Sequence, residues 1–362
     1  MLGRDPVTGK YKQHWENVKG TKADAERRLA ELQNDIFKGI YVKPHKITVA
    51  EYLIDWLENT ASMQISPTTY KGYKYIIDRH LIPGIGKIYL SNLNGIAIQK
   101  YYAQKLKAPR MDGNGTLSAR SVRSHHRVLH RALKSAITKG LLAHNAADNT
   151  EPPMPVNKEI HPMTEEQLAH FLQQLRGSPY YEMFYLCLFT ALRRSELLAL
   201  RWEDIDLQAG QMAVSRAMHY INREYIFREP KTAQSKATIS LTPSTITLMD
   251  DYKQRRSAEG ILLGVELQES DLVFCHIDGS PLQPNTITKY WQRFVVRIGM
   301  PNIRLHDARH THATLLIKNG VNSKLVQEHL RHSRIETTLG IYTHVTPGMH
   351  DKAAAQFDRF AP

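Results

Sequence analysis

A single linker, NTEPPMPVNKEIHP at residues 149–162, constrains this chain more than any other feature. Its four prolines remove four backbone donors and push each preceding residue out of the helical region, so neither a helix nor an interior strand can cross it. The chain therefore folds as separate pieces. Just beyond the linker, Thr164 and Gln167 have the spacing of a capping box, which predicts a helix start there. A shorter connection, YVKPHKIT, sets off the first residues. The resulting expectation is a leader at 1–43, a helical domain at 47–148, a linker at 149–163, a second domain at 164–346 and a tail at 347–362. In the leader, RDPVTGKYKQHW reads as a polar turn before a short strand, and TKADAERRLAELQNDIFKG as an amphipathic helix closed by Gly39.

With 362 residues, 42% of them hydrophobic, each main piece can bury a core. No run of about 18 apolar residues is present, and the amino terminus has no hydrophobic signal core, so a cytoplasmic protein without a membrane partner is expected. Cys187 and Cys275 are far apart and lack metal-binding spacing, which excludes a disulfide framework and a thiolate zinc site and leaves buried, reduced thiols.

Charge is concentrated rather than spread. From Lys71 to Lys139 there are 14 lysines and arginines against two carboxylates, whereas Glu151 to Pro362 has 24 basic and 23 acidic residues. So local a positive field suits a polyanion such as the DNA backbone. In SARSVRSHHRVLHRALKSAI, Arg120, Arg123, Arg127, Arg131 and Lys134 recur at helical spacing, with Val122, Leu129, Leu133 and Ile137 opposite them. A solvated face normally mixes signs, and this one has no carboxylate, which favours phosphate contact. SPTTYKGYKYIIDRHLIP is a second basic helix, offering Lys71, Lys74 and Arg79 among Tyr70, Tyr73 and Tyr75; those tyrosines read equally well as core.

After the linker, SPYYEMFYLCLFTALRRSELLAL predicts an apolar helix, a break and another helix. MAVSRAMHYINREYIFREPKTAQSKATISL alternates like strands joined by a polar turn, and the remainder is helical. The chain should thus be multidomain and mainly α, its last domain mixed α/β with a small antiparallel sheet.

In RLHDARHTHATLL, His306 and Arg309 share one helix face. His306 and His310 also have the spacing of a zincin helix, but Arg309 would set a fixed positive charge beside the metal, and Asp307 is a methylene shorter than the usual base. A phosphate-facing pair is the better reading: an imidazole to move a proton and a guanidinium to hold anionic oxygens. Farther on, LRHSRIETTLGIYTHV contains a capping box, Ser333 and Glu336, that starts a short helix carrying Tyr342 about two turns later. Position alone makes Tyr342 a packing residue beside Ile341 and Val345.

Four ordered elements change that reading. TALRRSELLALRW resembles the first arginine box of the tyrosine recombinases, the phage integrase family; HDARHTHATLL resembles their H-x-x-R box; LRHSRIETTLGIYTHV resembles their L-G-H followed by the nucleophilic tyrosine; PKTAQSKATISL resembles their strand-turn-strand lysine element. The resemblance implies a helical, SAM-like core-binding domain, a catalytic domain and a partial, α+β arm-binding-like leader. It implies that Arg193 and Arg309 clamp the scissile phosphate, Tyr342 attacks phosphorus, Lys231 protonates the departing 5′ oxygen, His306 exchanges a proton with the tyrosine, His332 donates to a phosphate oxygen and Glu196 orients the group. Lys231 is preferred to Lys236 because of its P-K-T context. No metal or other cofactor is implied. The expected partners are double-stranded DNA at attachment or element-end core sites, three further copies of the chain, and DNA-bending and excision proteins. The expected function is integration and excision of a mobile element, a prophage or a conjugative element; a chromosome-resolving recombinase and a catalytically decayed DNA-binding regulator are the alternatives.

This chain departs from the family pattern in four places: Ala191 and Arg331 replace glycines, Ser240 a proline, and His312 an aromatic residue. Arg331 is expected to shift His332 or to add a phosphate contact. The tail TPGMHDKAAAQFDRF carries Met349, Ala353, Phe357 and Phe360 at near-helical spacing, as expected of a segment that docks on a neighbouring subunit. Because the leader starts at the GRDPVTG turn, only part of an arm-binding domain is expected there.

Overall fold

The computed structural model describes residues 17–38, 46–110, 113, 115–156, 162–229, 237–301 and 303–331. Its contacts divide the chain into two compact units, Met1–Lys158 and Glu159–Pro362.

In the first unit, α1 (Lys22–Phe37) opens with a capping box in which Thr21 and Asp24 satisfy each other's backbone donors, and none of its described side chains is buried. The same device, Thr48 with Glu51, starts α2 (Val49–Trp56), which runs into a π-helical turn at Leu57–Ala61, where the Ser62 N–H reaches back five residues to the Leu57 carbonyl at 3.0 Å. A second π-turn, Ile77–Leu81, joins α3 (Pro67–Ile76) to α4 (Ile82–Ile85) in one rod. With α5 (Gly95–Lys107) and α6 (Ala119–Thr138) these helices enclose a core that includes Tyr52, Trp56, Leu81, Ile98, Tyr101 and Leu129. The Tyr52 hydroxyl donates to the Ala132 carbonyl at 2.8 Å, so this buried polar group is satisfied. The tyrosines of α3 divide: Tyr70 and Tyr73 pack on the core, Tyr73 stacked on Trp56, whereas Tyr75 is exposed. On α6, Val122, Leu129 and Leu133 are buried and Ile137 half-buried.

The second unit begins with α7 (Glu165–Leu175), closed at its start by the Thr164 and Gln167 box expected there. Next come α8 (Tyr181–Thr190) and α9 (Arg194–Leu197), then β1 (Ile205–Asp206), β2 (Gln211–Val214), β3 (Ala217–Ile221), β4 (Glu224–Arg228) and β5 (Ala237–Ser240). Four helices follow among the described residues: α10 (Pro243–Leu262), α11 (Pro284–Arg297), α12 (Asp307–Lys318) and α13 (Ser323–Leu330).

The strands form two antiparallel sheets where one was expected: β1-β2-β5 and the hairpin β3–β4. The break lies at Ser215 and Arg216, whose side chains turn to Asp204 at 2.7 and 3.3 Å. The hairpin closes on Asn222 and Arg223, both at positive φ, as a two-residue turn between right-twisted strands requires. The strands on either side of the lysine-bearing stretch pair elsewhere, β4 with β3 and β5 with β2, with Met212 opposite Ile239, and the stretch itself lies outside the described residues.

Phe171, Phe184, Trp291 and Phe294 interlock at the centre of this unit, with ring centroids 4.7 to 5.2 Å apart. A smaller cluster, Ala191, Ala313, Ile317, Val326 and Leu330, fastens the end of α8 to α12 and α13. Among the described residues no helix is long and apolar enough to cross a membrane.

Candidate active site

Three segments converge on that smaller cluster. The first is the break after α8, where Ala191 takes a left-handed conformation, φ 52°, ψ 28°, and stops the helix. An alanine there costs about 1 kcal/mol relative to glycine. What holds it is its carbonyl, which accepts a hydrogen bond from Arg309 Nη1 at 2.7 Å, a charge-assisted contact of about 1.5–3 kcal/mol that exceeds the strain. Two residues on, Arg193 caps α9, and its own backbone N–H donates to Glu196 Oε2 at 2.9 Å.

Glu196 then joins the third segment to the first. Its Oε1 accepts from Arg193 Nη1 and its Oε2 from Arg331 Nη2, each at 2.7 Å. Arg193 Nη2 also donates to the Arg331 carbonyl at 3.4 Å. Glu196, Arg309 and Arg331 are 6%, 3% and 4% exposed, so the cluster is walled by protein, and the Arg193 side chain is its more open member at 36%. Burial raises the Glu196 carboxyl, but Arg331 and Arg193 pull it down further, leaving it ionised and below its usual value. Burial, and then the charges of Arg193 and Arg331, push Arg309 down to about 9. Three buried donors of this cluster have no hydrogen-bond partner among the described residues: Arg309 Nη2, Arg331 Nε and Arg331 Nη1. The described part of the cluster thus carries three guanidiniums, one carboxylate and idle N–H groups, an arrangement suited to an arriving anion.

Arg331 ends α13 at φ 55°, ψ 44°, keeping the left-handed backbone of the glycine it replaces. His332, which it was expected to shift, lies outside the described residues, and the Arg331 Nη2 donates to Glu196. Sequence reasoning flagged the position but missed this partner, because the two residues are 135 apart in the chain.

His306 is the N-cap of α12, one turn before Arg309, and is exposed. Partial desolvation of its ring, then the Arg309 charge, lowers its pKa, which keeps a neutral imidazole available near pH 7. His310 stands edge-on to it at 5.1 Å and burial pushes it down to about 4. Asp307, at the place of a zincin's base, is gripped by Arg304 through Nε at 2.9 Å and Nη2 at 2.7 Å, and among the described residues no group of three or more His, Cys, Asp or Glu could hold a metal. Lys231, His332 and Tyr342 lie outside the described residues, as do Ser333, Glu336 and the tail from Met349 to Phe360.

His312, at the position where the family has an aromatic residue, stacks on His329 with Nε2 atoms 3.1 Å apart, while its Nδ1 bonds the Leu188 carbonyl. Burial pushes His312 down to about 4, with the His329 charge next. An unfolded histidine binds its proton near 6.5, so between that pH and about 4 the unfolded chain holds the extra proton and stability falls as the solution is acidified. The expected loss is on the order of 2–3 kcal/mol across the window. His312→Phe should flatten this part of a pH series of urea unfolding midpoints; an unchanged profile would assign the loss to other groups.

The remaining expected positions are in the first unit. Arg120, Arg123, Arg127 and Lys134 are exposed on α6, as Lys71 and Arg79 are on the α3–α4 rod. Two others are engaged within the protein. Lys74 pairs with Asp78 at 3.2 Å, and Arg131 is half-buried, donating to Gln64 at 3.2 Å with its guanidinium over the Tyr73 ring. Of the two thiols, Cys187 is buried and pushed up to about 12, while Cys275 is only half-buried.

Comparison with known proteins agrees with this geometry. The phage integrase family matches residues 160–349, and the N-terminal SAM-like domain of phage integrases matches residues 48–106. A tyrosine recombinase XerC-like protein of Caldanaerobacter subterraneus subsp. tengcongensis is 29% identical over 90% of this chain and 87% of its own length. The ICEBs1 integrase of Bacillus subtilis is 24% identical over 99% and 95%. Among solved structures, the Tn1549 transposon integrase in complex with a circular intermediate DNA superposes with a TM-score of 0.72 at 21% identity, covering 87% of this chain and all of that one. A lambda integrase tetramer bound to a Holliday junction gives 0.61 at 18% identity, covering 93% and 90%. With a family match over more than half its length and that family's fold, the chain belongs to the phage integrase family and is a tyrosine site-specific recombinase.

Proposed function

We propose that this recombinase integrates and excises a mobile element, cutting and rejoining DNA through a covalent 3′-phosphotyrosyl intermediate and a Holliday junction, as a tetramer on two duplexes in the cytoplasm. The observation that carries the reading is the cluster of buried Glu196, Arg309 and Arg331 with the half-exposed Arg193, and its donors unpaired among the described residues. Its net positive charge suits the phosphorane that forms when the Tyr342 oxygen bonds to phosphorus and the bond to the 5′ oxygen breaks. His306 takes the phenolic proton, Lys231 gives one to the departing 5′ oxygen, and His332 donates to a non-bridging oxygen. The phosphotyrosyl diester retains the free energy of the broken linkage, so a 5′ hydroxyl from the partner duplex reseals the strand without ATP. DNA-bending and excision proteins would set the direction.

Residues 47–148 act as the core-binding domain and 164–346 as the catalytic domain, with 1–43 as an arm-binding-like leader and 347–362 as a docking tail on a neighbouring copy. Along the duplex backbone, Arg120, Arg123 and Arg127 on α6 make phosphate contacts, with Lys71, Arg79 and Lys134 beside them. Alanine at Arg120, Arg123 or Arg127 is expected to reduce the slope of log affinity against log salt by about 1 each. Arg131→Ala, which releases Tyr73 and Gln64, should instead lower the unfolding midpoint.

The deciding experiment incubates the protein, in EDTA, with nicked duplexes from the DNA flanking its gene and maps any SDS-resistant adduct by mass spectrometry. DNA attached to the peptide holding Tyr342 supports the reading. Tight, specific binding without an adduct would favour a decayed regulator.

A further inference from the structure

Arg331 is an unusual tenant. A left-handed backbone suits glycine, yet here it bears the longest cationic side chain, and that side chain is 1% exposed. A guanidinium that merely filled space would have its donors paired within the fold, as buried polar groups generally do. This one spends Nη2 on Glu196 and leaves Nε and Nη1 without partners among the described residues, next to a cluster in which Arg309 Nη2 is likewise unpaired there.

The charges explain the arrangement. Glu196 lies 2.7 Å from Arg193, close enough to cancel that guanidinium as seen by an incoming anion. Its other oxygen, however, is taken by Arg331 at the same distance. One carboxylate is thus divided between two cations, so the trio keeps a net positive charge, and the Arg193 side chain is the more open of the two cations. The Arg331 carbonyl, turned by the left-handed backbone, receives Arg193 Nη2 and fixes its plane.

We propose that Arg331 is a positioning residue of this site: by engaging one oxygen of Glu196 it keeps Arg193 from being neutralised, and so keeps the cluster cationic toward a phosphate. The proposal rests on the phosphate-cleavage reading above, but its test does not depend on cleavage alone. Full-length wild type, Arg331→Gly and Arg331→Lys are titrated with inorganic phosphate against chloride at matched ionic strength, and the melting shift is compared between proteins. Stabilisation by salt type, and by binding to the basic face of α6, is common to all three and cancels.

The expected result is an apparent phosphate affinity about tenfold weaker in Arg331→Gly and partly restored in Arg331→Lys. In the adduct assay, Arg331→Gly should cleave about 10- to 100-fold more slowly at saturating DNA, with site affinity little changed. That gap should narrow when the scissile phosphate is replaced by a neutral methylphosphonate, a response that a purely structural role would not produce. Arg331→Gly binding phosphate as wild type does would overturn the proposal, as would equal cleavage. If no protein, wild type included, forms an adduct, the cleavage reading fails while the phosphate titration still decides the role of Arg331. Arg331→Lys carries the comparison should the glycine variant not fold.

Discussion

Arg309→Met is expected to slow strand cleavage by about a thousandfold and to leave the free protein close to its original stability. The two effects separate because the site is built for an absent anion. Arg309 is 3% exposed, its pKa is driven down to about 9 by burial, and its Nη2 finds no acceptor among the described residues. Removing it forfeits the bond to the Ala191 carbonyl, about 1.5–3 kcal/mol, but also removes a desolvated charge that Arg193 and Arg331 repel. Methionine is unbranched and adapts to the vacated space. Single-turnover cleavage of a nicked core duplex and a thermal melt of the same preparation measure both quantities. Cleavage within tenfold of wild type would sink the assignment of Arg309 to the phosphate, and a collapse of the melt alongside cleavage would make Arg309 a structural residue. Lysine at this position should rescue little, because the contact to Ala191 and the phosphate both use the planar fork.

Glu196→Gln should act in the opposite sense, destabilising the second unit by about 3–5 kcal/mol. Glutamine has nearly the same size, so packing is kept. What is lost is the single carboxylate between Arg193 and Arg331, leaving two guanidiniums near one neutral amide. Acid should destabilise wild type in the same direction. The folded Glu196 carboxyl lies below its usual 4.5, so its contribution is complete above that pH and disappears as pH falls through the lowered value. Urea unfolding of Glu196→Gln, Arg331→Gly and the double variant tests the linkage. The double variant should be less destabilised than the sum of the singles, since one of the two stranded charges has gone. Strict additivity would mean that Arg331 and Glu196 do not act on each other.

Local chemistry was readable where the determinants are local. The box of Thr164 with Gln167, the arrest of α8 before Arg193, and the opposed faces of α6 each depend on residues within a few positions, and the fold contains them. Features set by distant partners were not readable. Nothing in the order of residues says that Ser215 and Arg216 turn to Asp204 and split one expected sheet into two. Likewise, charge counting along a helix treats Arg123 and Arg131 alike, although the second is held over Tyr73. At the site, Ala191 and Arg331 could be marked as replaced glycines, but that both keep a left-handed backbone follows from tertiary bonds, Arg309 to one carbonyl and Glu196 to the other side chain.

The π-turns at Leu57–Ala61 and Ile77–Leu81 have a consequence for how the helical unit can change over evolutionary time. Each is equivalent to one residue inserted into an α-helix. Ile77, Leu81 and Ile85 face the core across the second of them. Deleting any one residue from that turn would restore regular helix and rotate everything beyond it by about 100°, carrying Ile85 off the core face. Substitutions there can be absorbed one side chain at a time, whereas a single-codon deletion re-aims a whole segment at once. In this unit, residue count between core positions is a tighter constraint than residue identity.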